Sequence, residues 1–310
     1  MIYRNVFRAI PALLSLFLIA PIQARADKPA VSAKSKLSGH VDWSNHLIYA
    51  TGLGAIPKDE NNDAVAYLKA RSFARMDARR NLLAVIDHVK IDSQTVGQDF
   101  QSVNDTVREE ITGIIKGSEI FAERKLKIGN GMMVEVTITM PLYGEDSLGS
   151  VLYPEIAKRE RQAEETGGAE LPTPRLTKPH LFAPDEDGLP GASVPYTGVI
   201  IDARGRGVER SMSPKIRRTD GGEIWGTLSV APDFVIENGI TSYAHSVAEA
   251  RKNGRVGSNP LVLRAQGRYG EKFKTDALLS EADADTLLAA DAKDNFLSQF
   301  RVIFVVDEDK

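Results

Sequence analysis

Acidic and amide side chains at positions 59, 61 and 63 could begin a calcium-binding loop. Asp59, Asn61 and Asp63 have the spacing of loop positions 1, 3 and 5, and Ca²⁺ prefers oxygen ligands. Position 6 is Ala64, where the sharp turn needs glycine, and position 12 is Ala70, which has no carboxylate. Helix capping explains the segment better, because Asp and Asn side chains accept hydrogen bonds from first-turn N–H groups.

Two closely spaced glycines could form a phosphate-binding loop. Gly205-Arg206-Gly207 follows a predicted strand, but the third glycine of a dinucleotide loop would be position 210, which is Arg210. A hairpin is also predicted where the nucleotide-binding helix would have to begin. We therefore expect no nucleotide site and no cofactor.

His40, Asp42 and His46 carry groups that bind zinc, but their spacing matches no known metal signature. The sequence also lacks the G-x-S-x-G and H-E-x-x-H motifs of common secreted hydrolases, and it contains no cysteine. We expect no catalytic, cofactor-binding or metal-ligating residue, and therefore no enzyme. The other histidines are scattered along the chain, at His88, His180 and His245.

A charged cluster, Asp77-Ala78-Arg79-Arg80-Asn81, lies within a predicted long helix. Arg79 and Arg80 are expected to border its apolar stripe, and a buried guanidinium needs a carboxylate or carbonyl partner. An internal bridge to the sheet or a loop is favoured, and a clamp onto a neighbouring subunit is the alternative.

Composition sets the class of protein. The 310 residues are 42% hydrophobic and 26% charged, which is enough apolar material for one large or two ordinary globular domains. The 39 basic and 42 acidic residues leave a net charge of −3, so no excess of positive charge is available for nucleic acid. We expect no nucleic-acid partner.

Residues 1–26 read as a secretory signal. Arg4 and Arg8 precede the apolar stretch 9–20, and Ala24-Arg25-Ala26 forms an A-x-A cleavage site. The stretch is shorter than the roughly 20 residues that a spanning helix needs. Without cysteine, lipid attachment after the signal is impossible. We expect a periplasmic protein with no transmembrane span and no lipid anchor.

Proline density predicts a domain boundary. A charged, proline-rich linker at 145–193 would separate a first domain, 37–144, from a second domain, 194–308, because a packed domain cannot use so many fixed φ angles. The prolines that indicate the linker are Pro154, Pro172, Pro174, Pro179, Pro184, Pro190 and Pro195.

The first domain combines amphipathic helices with a hairpin. A strand at 47–54 precedes the long helix, a strand is predicted at 89–95, and alternating residues predict a hairpin with strands at 120–128 and 132–140. A second helix is predicted to end at Gly117. The apolar stripe that should form the core face of the long helix is Val65, Leu68, Phe73, Met76, Leu83 and Ile86.

The second domain should mix strands and helices. Strands are predicted at 196–203 and on both sides of Asp220-Gly221, a helix at 242–253, and a strand, helix and strand from 273 to 306 that form one crossover. The strand 302–306 is apolar throughout, so it should be central. Both domains are therefore α/β modules with antiparallel or mixed sheets packed on amphipathic helices, and the fold class is α+β.

The stretch 50–142 resembles the LPP20 family of bacterial envelope lipoproteins. The matching pieces are Thr51-Gly52-Leu53-Gly54, the helix 70–82, and the segments 89–93, 114–117 and 134–138. The resemblance implies a small α/β domain in the periplasm or at the inner side of the outer membrane. The family includes assembly proteins of flagellar outer-membrane rings, and it implies no enzyme activity. This chain departs from the family in lacking the lipid-attachment cysteine.

Together these observations predict a non-enzymatic structural or assembly component of the cell envelope that acts through protein contacts. Its expected partners are envelope proteins, including further copies of itself. A more specific expectation is that the protein is associated with the flagellum. The alternative is a periplasmic protein that binds or processes glycan or another small ligand. A deep pocket with convergent polar groups would favour the alternative, and a wide surface with self-association would favour assembly.

We predict that export removes residues 1–26, because Ala24 and Ala26 provide the small side chains that signal peptidase requires. Mass spectrometry of the exported protein should give a chain that begins at Asp27. A mature chain that still begins at Met1 would contradict the periplasmic location.

Overall fold

The structure is a computed structural model, and it describes residues 38–165, 194–226 and 232–308. The predicted signal peptide and residues 166–193 of the predicted linker lie outside the described residues. Within the described ranges, no helix combines the length and apolar character needed to cross a bilayer. The fold class is α+β, as predicted.

The first module contains one antiparallel sheet with strand order β1-β2-β4-β3 and four helices. The predicted hairpin is confirmed: Ile128 faces Gly131 at the turn, and Val134, Val136 and Ile138 are buried on one face. The elements are β1 (Gly39–Asp42), β2 (Leu47–Ala55), α1 (Asp63–Asp87), α2 (Gly97–Val103), α3 (Asp105–Gly117), β3 (Glu119–Ile128), β4 (Gly131–Pro141) and α4 (Leu148–Glu165).

The second module contains a parallel sheet, β8-β12-β5-β9, and a smaller mixed sheet, β10-β11-β6-β7. The apolar strand β12 is fully buried between two neighbours, as predicted. The elements are β5 (Gly198–Asp202), β6 (Ile216–Arg218), β7 (Glu223–Trp225), α5 (Pro232–Asn238), β8 (Ser242–Ala244), α6 (Val247–Ala250), a 3₁₀ turn (Gly254–Val256), β9 (Pro260–Arg264), β10 (Gly267–Tyr269), β11 (Asp276–Leu279), α7 (Glu281–Asp294) and β12 (Val302–Val305).

The face that α1 buries is not the predicted one. Ala70, Ala74 and Ala78 are buried against β2, where the strand carries Gly52 and Gly54. A Cβ at Gly54 would lie 1.9 Å from the backbone oxygen of Ala70, so the two backbones approach as closely as glycine allows. Only methyl groups fit in this contact. The prediction was wrong for Val65, Leu68, Phe73 and Met76, whose larger side chains cannot enter this contact and are exposed. It was correct for Ile86, which is buried, and Leu83 packs against the core.

Three predicted elements also differ. Residues 89–95 form no strand and contribute only one isolated bridge, from Lys90 to Val96. The predicted helix at 242–253 is strand β8 followed by the single turn of α6. The predicted crossover does not join strands of one sheet, since β11 pairs with β6 whereas β12 pairs with β5 and β8.

The predicted linker is wrong in its first part. Residues 148–165 form α4, which buries Leu152 and Tyr153 and accommodates Pro154 within the helix. The Tyr153 hydroxyl donates to the backbone oxygen of Met212 at 3.0 Å, and Met212 N donates to Lys90 O at 3.0 Å. The two modules share one hydrophobic core, so residues 36–310 form one compact unit.

We predict that Gly54→Ala destabilises the protein by about 3 kcal/mol or more, because the added methyl group forces α1 away from β2. Chemical denaturation monitored by circular dichroism would measure the loss. Gly113→Ala is the matched control, since nothing lies within 4 Å of a Cβ at Gly113 in α3. That control should raise stability by about 0.5–1 kcal/mol. Equal stability of Gly54→Ala and wild type would contradict the close packing.

Candidate functional site

The outer face of α1 is a contiguous apolar surface. It consists of Val65, Leu68, Phe73 and Met76 together with Lys69 and Ser72, and these residues line a shallow groove of about 340 Å³. Phe73 is 61% exposed and Met76 is 64% exposed. Large apolar side chains clustered on one exposed helix face are typical of protein interaction sites.

Opposite charges lie at the two ends of this outer face. Asp59, Glu60 and Asp63 precede or begin α1, whereas Arg79 and Arg80 lie in its C-terminal half. Glu60 pairs with Lys69 at 2.5 Å, and this contact lowers the pKa of the Glu60 carboxyl. The outer face is therefore apolar in the middle, with Asp59, Asp63 and the Glu60–Lys69 pair at one end. Arg79 and the Arg80–Asp77 pair lie at the other end.

The charged cluster that begins at Asp77 holds the open edge of β2. Among the described residues, β1 pairs with β2 as far as Ala50 and Thr51 N donates to Ser38 O, and no described strand pairs with this edge of β2 beyond that point. Asp77 Oδ2 accepts a hydrogen bond from Leu53 N at 3.0 Å, and Asn81 Nδ2 donates to Thr51 O at 2.7 Å. These contacts support the internal bridge over the subunit clamp.

The arginines of this helix have separate roles. Arg79 donates to the backbone oxygen of Lys116 and Arg75 donates to that of Ser118 at 3.5 Å, so both stabilise carbonyl groups at the end of α3. Burial, followed by the charge of Arg75, lowers the pKa of Arg79. Arg80 pairs with Asp77 at 2.5 Å, but its side chain is 79% exposed and borders the outer face of α1.

The calcium-loop segment caps α1, as expected. Its N-cap is Asn62, whose side chain accepts hydrogen bonds from Ala64 N and Val65 N at 3.0 and 3.2 Å. In the described part of the chain, no group of three or more His, Cys, Asp or Glu side chains could hold a metal ion.

The three residues of the zinc hypothesis are engaged separately. The His40 ring stacks on Tyr49 with centroids 5.1 Å apart. The Asp42 carboxylate accepts from Asn45 N and Ser44 N in the β1–β2 turn. His46 packs edge-on against Tyr143 at 4.9 Å, and burial together with the charge of Arg255 lowers its pKa.

The two-glycine loop lies at the carboxyl end of β5, where parallel sheets commonly bind ligands. Here the Asp307 carboxylate accepts from Gly205 N at 3.0 Å, and Arg210 donates to Asp307 O at 3.0 Å. The loop binds the protein's own carboxylate, and it leads into irregular chain instead of a helix. The donors named here are thus used by internal contacts.

A cleft of about 670 Å³ lies at the opposite end of the parallel sheet, where β8 and β12 begin. Sequence analysis did not indicate it, because its residues come from five separate segments and share no motif. The lining residues are His46, Phe234, Glu237, Asn238, Ser242, Asn253, Gly254, Arg255, Ser298, Gln299, Phe300 and Arg301.

The fold and these surfaces define an α+β protein with two joined modules, an exposed apolar helix face and a cleft. Residues 198–308, which run from β5 past β12, are similar to the second domain of Treponema pallidum Tp0624, whose family model matches them. No curated protein matches the chain. The comparisons indicate no enzymatic family.

We predict that Asn81→Ala and Arg80→Ala differ in effect although the residues are adjacent. Asn81→Ala removes the donor that satisfies Thr51 O and should cost about 1 kcal/mol. Arg80→Ala removes an exposed ion pair and should cost about 0.5 kcal/mol or less. Thermal unfolding of both variants would measure the difference. An equal or larger loss for Arg80→Ala would contradict the assignment of the stabilising edge contact to Asn81.

Proposed function

We propose that the protein is a non-enzymatic structural or assembly component of the bacterial cell envelope that acts through protein–protein contacts. The observation that carries the proposal is the outer face of α1, where Leu68, Phe73 and Met76 remain exposed on a well-packed helix. Burying each such side chain is worth about 1.5–3 kcal/mol, so a partner that covers this face gains affinity.

The location in the envelope rests on the resemblance of 50–142 to the LPP20 family and on the signal-like residues 1–26. The resembling stretch contains most of β2 and all of α1, so the outer face of α1 belongs to the LPP20-like module. A place in the periplasm, peripheral to the outer membrane, follows from this resemblance. The more specific form of this proposal is a role in flagellar assembly.

The outer face of α1 fits a second copy of the same chain. When the two-fold axis is perpendicular to two facing helices, the helices run antiparallel, and each patch must be complementary to itself. Antiparallel pairing places the acidic end, Asp59 to Asp63, beside the partner's basic end, which contains Arg79 and Arg80. It also places the apolar middle of one helix against the apolar middle of the partner's helix. A parallel pairing would set like charges together.

We predict that Phe73→Glu combined with Met76→Glu abolishes self-association, because two carboxylates replace the apolar middle of the surface. Light scattering coupled to size-exclusion chromatography over a range of concentrations would show a dimer for wild type and a monomer for this variant. Both residues are exposed, so the thermal unfolding midpoint should stay close to that of wild type. Ile128→Glu is the matched control, since Ile128 is 52% exposed at the hairpin turn.

Cross-linking tests whether the outer face of α1 forms the interface. The chain contains no cysteine, so Ser72→Cys introduces a single thiol in the middle of the outer face of α1. Antiparallel pairing brings two such thiols together, and mild oxidation should give a disulfide-linked dimer. Ser44→Cys, in the exposed β1–β2 turn, should remain monomeric. A monomeric wild type at all concentrations would contradict self-pairing. Loss of dimer in the Ile128→Glu control alone would place the interface elsewhere.

A further inference from the structure

The cleft at the amino ends of β8 and β12 has the size of a small-molecule site. Its volume of about 670 Å³ lies in the usual range of about 300–1,000 Å³ for ligand pockets. Its walls come from α5, the 3₁₀ turn and the segment 298–301, and His46 is contributed by the first module.

Arg255 gives the cleft a positive charge that no carboxylate of the described residues neutralises. Its guanidinium donates to Ser242 Oγ at 3.0 Å and to the backbone oxygens of Phe300 at 2.9 Å and Gly239 at 3.2 Å. It also donates to the backbone oxygen of Asn238. All four acceptors are uncharged. Arg255 therefore fixes three segments of the wall while its charge stays in the cleft.

Arg301 supplies donors that a ligand could use. Its guanidinium makes one long hydrogen bond, from Nη1 to Thr197 O at 3.4 Å, and its remaining N–H groups have no partner among the described residues. Glu237 is the only acidic residue in the described lining, and it lies exposed on α5. The lining thus carries two arginines against one carboxylate. Burial, followed by the charge of Arg255, lowers the pKa of His46, which favours its uncharged form.

An aromatic surface borders these arginines. The Phe234 ring stacks on Phe300 with centroids 5.9 Å apart and planes 19° apart. Phe300 is buried, whereas Phe234 is 44% exposed. The stack therefore fixes the Phe234 ring while leaving part of it open to the cleft, and a planar apolar group gains contact area there.

We propose that this cleft binds a small organic anion in which a carboxylate or similar group is attached to a planar apolar ring. Arg301 would bind the anionic group, the charge of Arg255 would favour it, and Phe234 would contact the ring. This ligand site is independent of the protein-contact surface on α1, and its existence does not depend on the proposed assembly function.

The test uses two probes of the same shape and different charge, 2-naphthoate and its neutral amide 2-naphthamide, with the full mature chain. Isothermal titration calorimetry should show binding of 2-naphthoate at least ten-fold tighter than binding of 2-naphthamide, and weaker 2-naphthoate binding at high salt. Arg301→Gln should weaken 2-naphthoate binding about ten-fold and leave the amide unchanged. Phe234→Ala should weaken the binding of both probes.

Two controls separate this site from other surfaces. Arg264→Gln removes an exposed arginine at the opposite end of the parallel sheet, and Phe73→Ala removes an exposed ring from the outer face of α1. Neither should change the affinity for 2-naphthoate. The proposal would be overturned if the acid and the amide bound with equal affinity. It would also be overturned if neither Arg301→Gln nor Phe234→Ala weakened the binding of 2-naphthoate. Absence of 2-naphthoate binding at millimolar concentration would also overturn it. Arg255 is left intact throughout, because its removal could unfold the wall.

Discussion

The packing of alanine methyl groups on bare glycine backbone determines how the first module is built. Ala70, Ala74 and Ala78 approach Gly52 and Gly54 so closely that no side chain larger than methyl fits between helix and strand. This close approach of α1 to β2 also brings Asp77 and Asn81 to the unpaired edge of the strand, where they bond Leu53 N and Thr51 O. Leu68, Phe73 and Met76 are left on the opposite side. One steric constraint thus produces both a stable helix–sheet contact and an exposed apolar surface.

The joining of the modules depends on buried tyrosines. Tyr153 of α4 in the first module donates to Met212 O of the second, and Tyr243 of the second module packs edge-on against Trp43 of the first, with ring centroids 5.5 Å apart. Burial raises the pKa of Tyr143 to about 12 and raises that of Tyr153 well above its ordinary value, so these hydroxyls stay protonated near neutral pH. Such neutral donors satisfy buried backbone oxygens without the cost of burying a charge. The two modules are consequently coupled through a continuous core.

Arginines that bind backbone carbonyls recur in both modules. Arg75 and Arg79 stabilise the end of α3, and Arg255 connects α5, β8 and the turn before β12. A guanidinium has five N–H donors, so one side chain can satisfy several loop carbonyls at once. Because these acceptors are neutral, the positive charge is not cancelled. Near α1 it contributes to the basic end of the proposed interface, and at the cleft it favours an anionic ligand.

The sequence by itself determined the features that depend on neighbouring residues. Alternation defined the β3–β4 hairpin, the capping segment 59–63 marked the start of α1, and continuous apolar character identified β12 as central. It could not decide which side of α1 is buried, because Phe73 and Ala74 compete for the core and only the glycines of a distant strand exclude the larger ring. Proline content likewise predicted a linker over residues that form α4, which packs against the core. The cleft arises only in the tertiary structure, since its arginines and aromatic rings come from segments far apart in the chain.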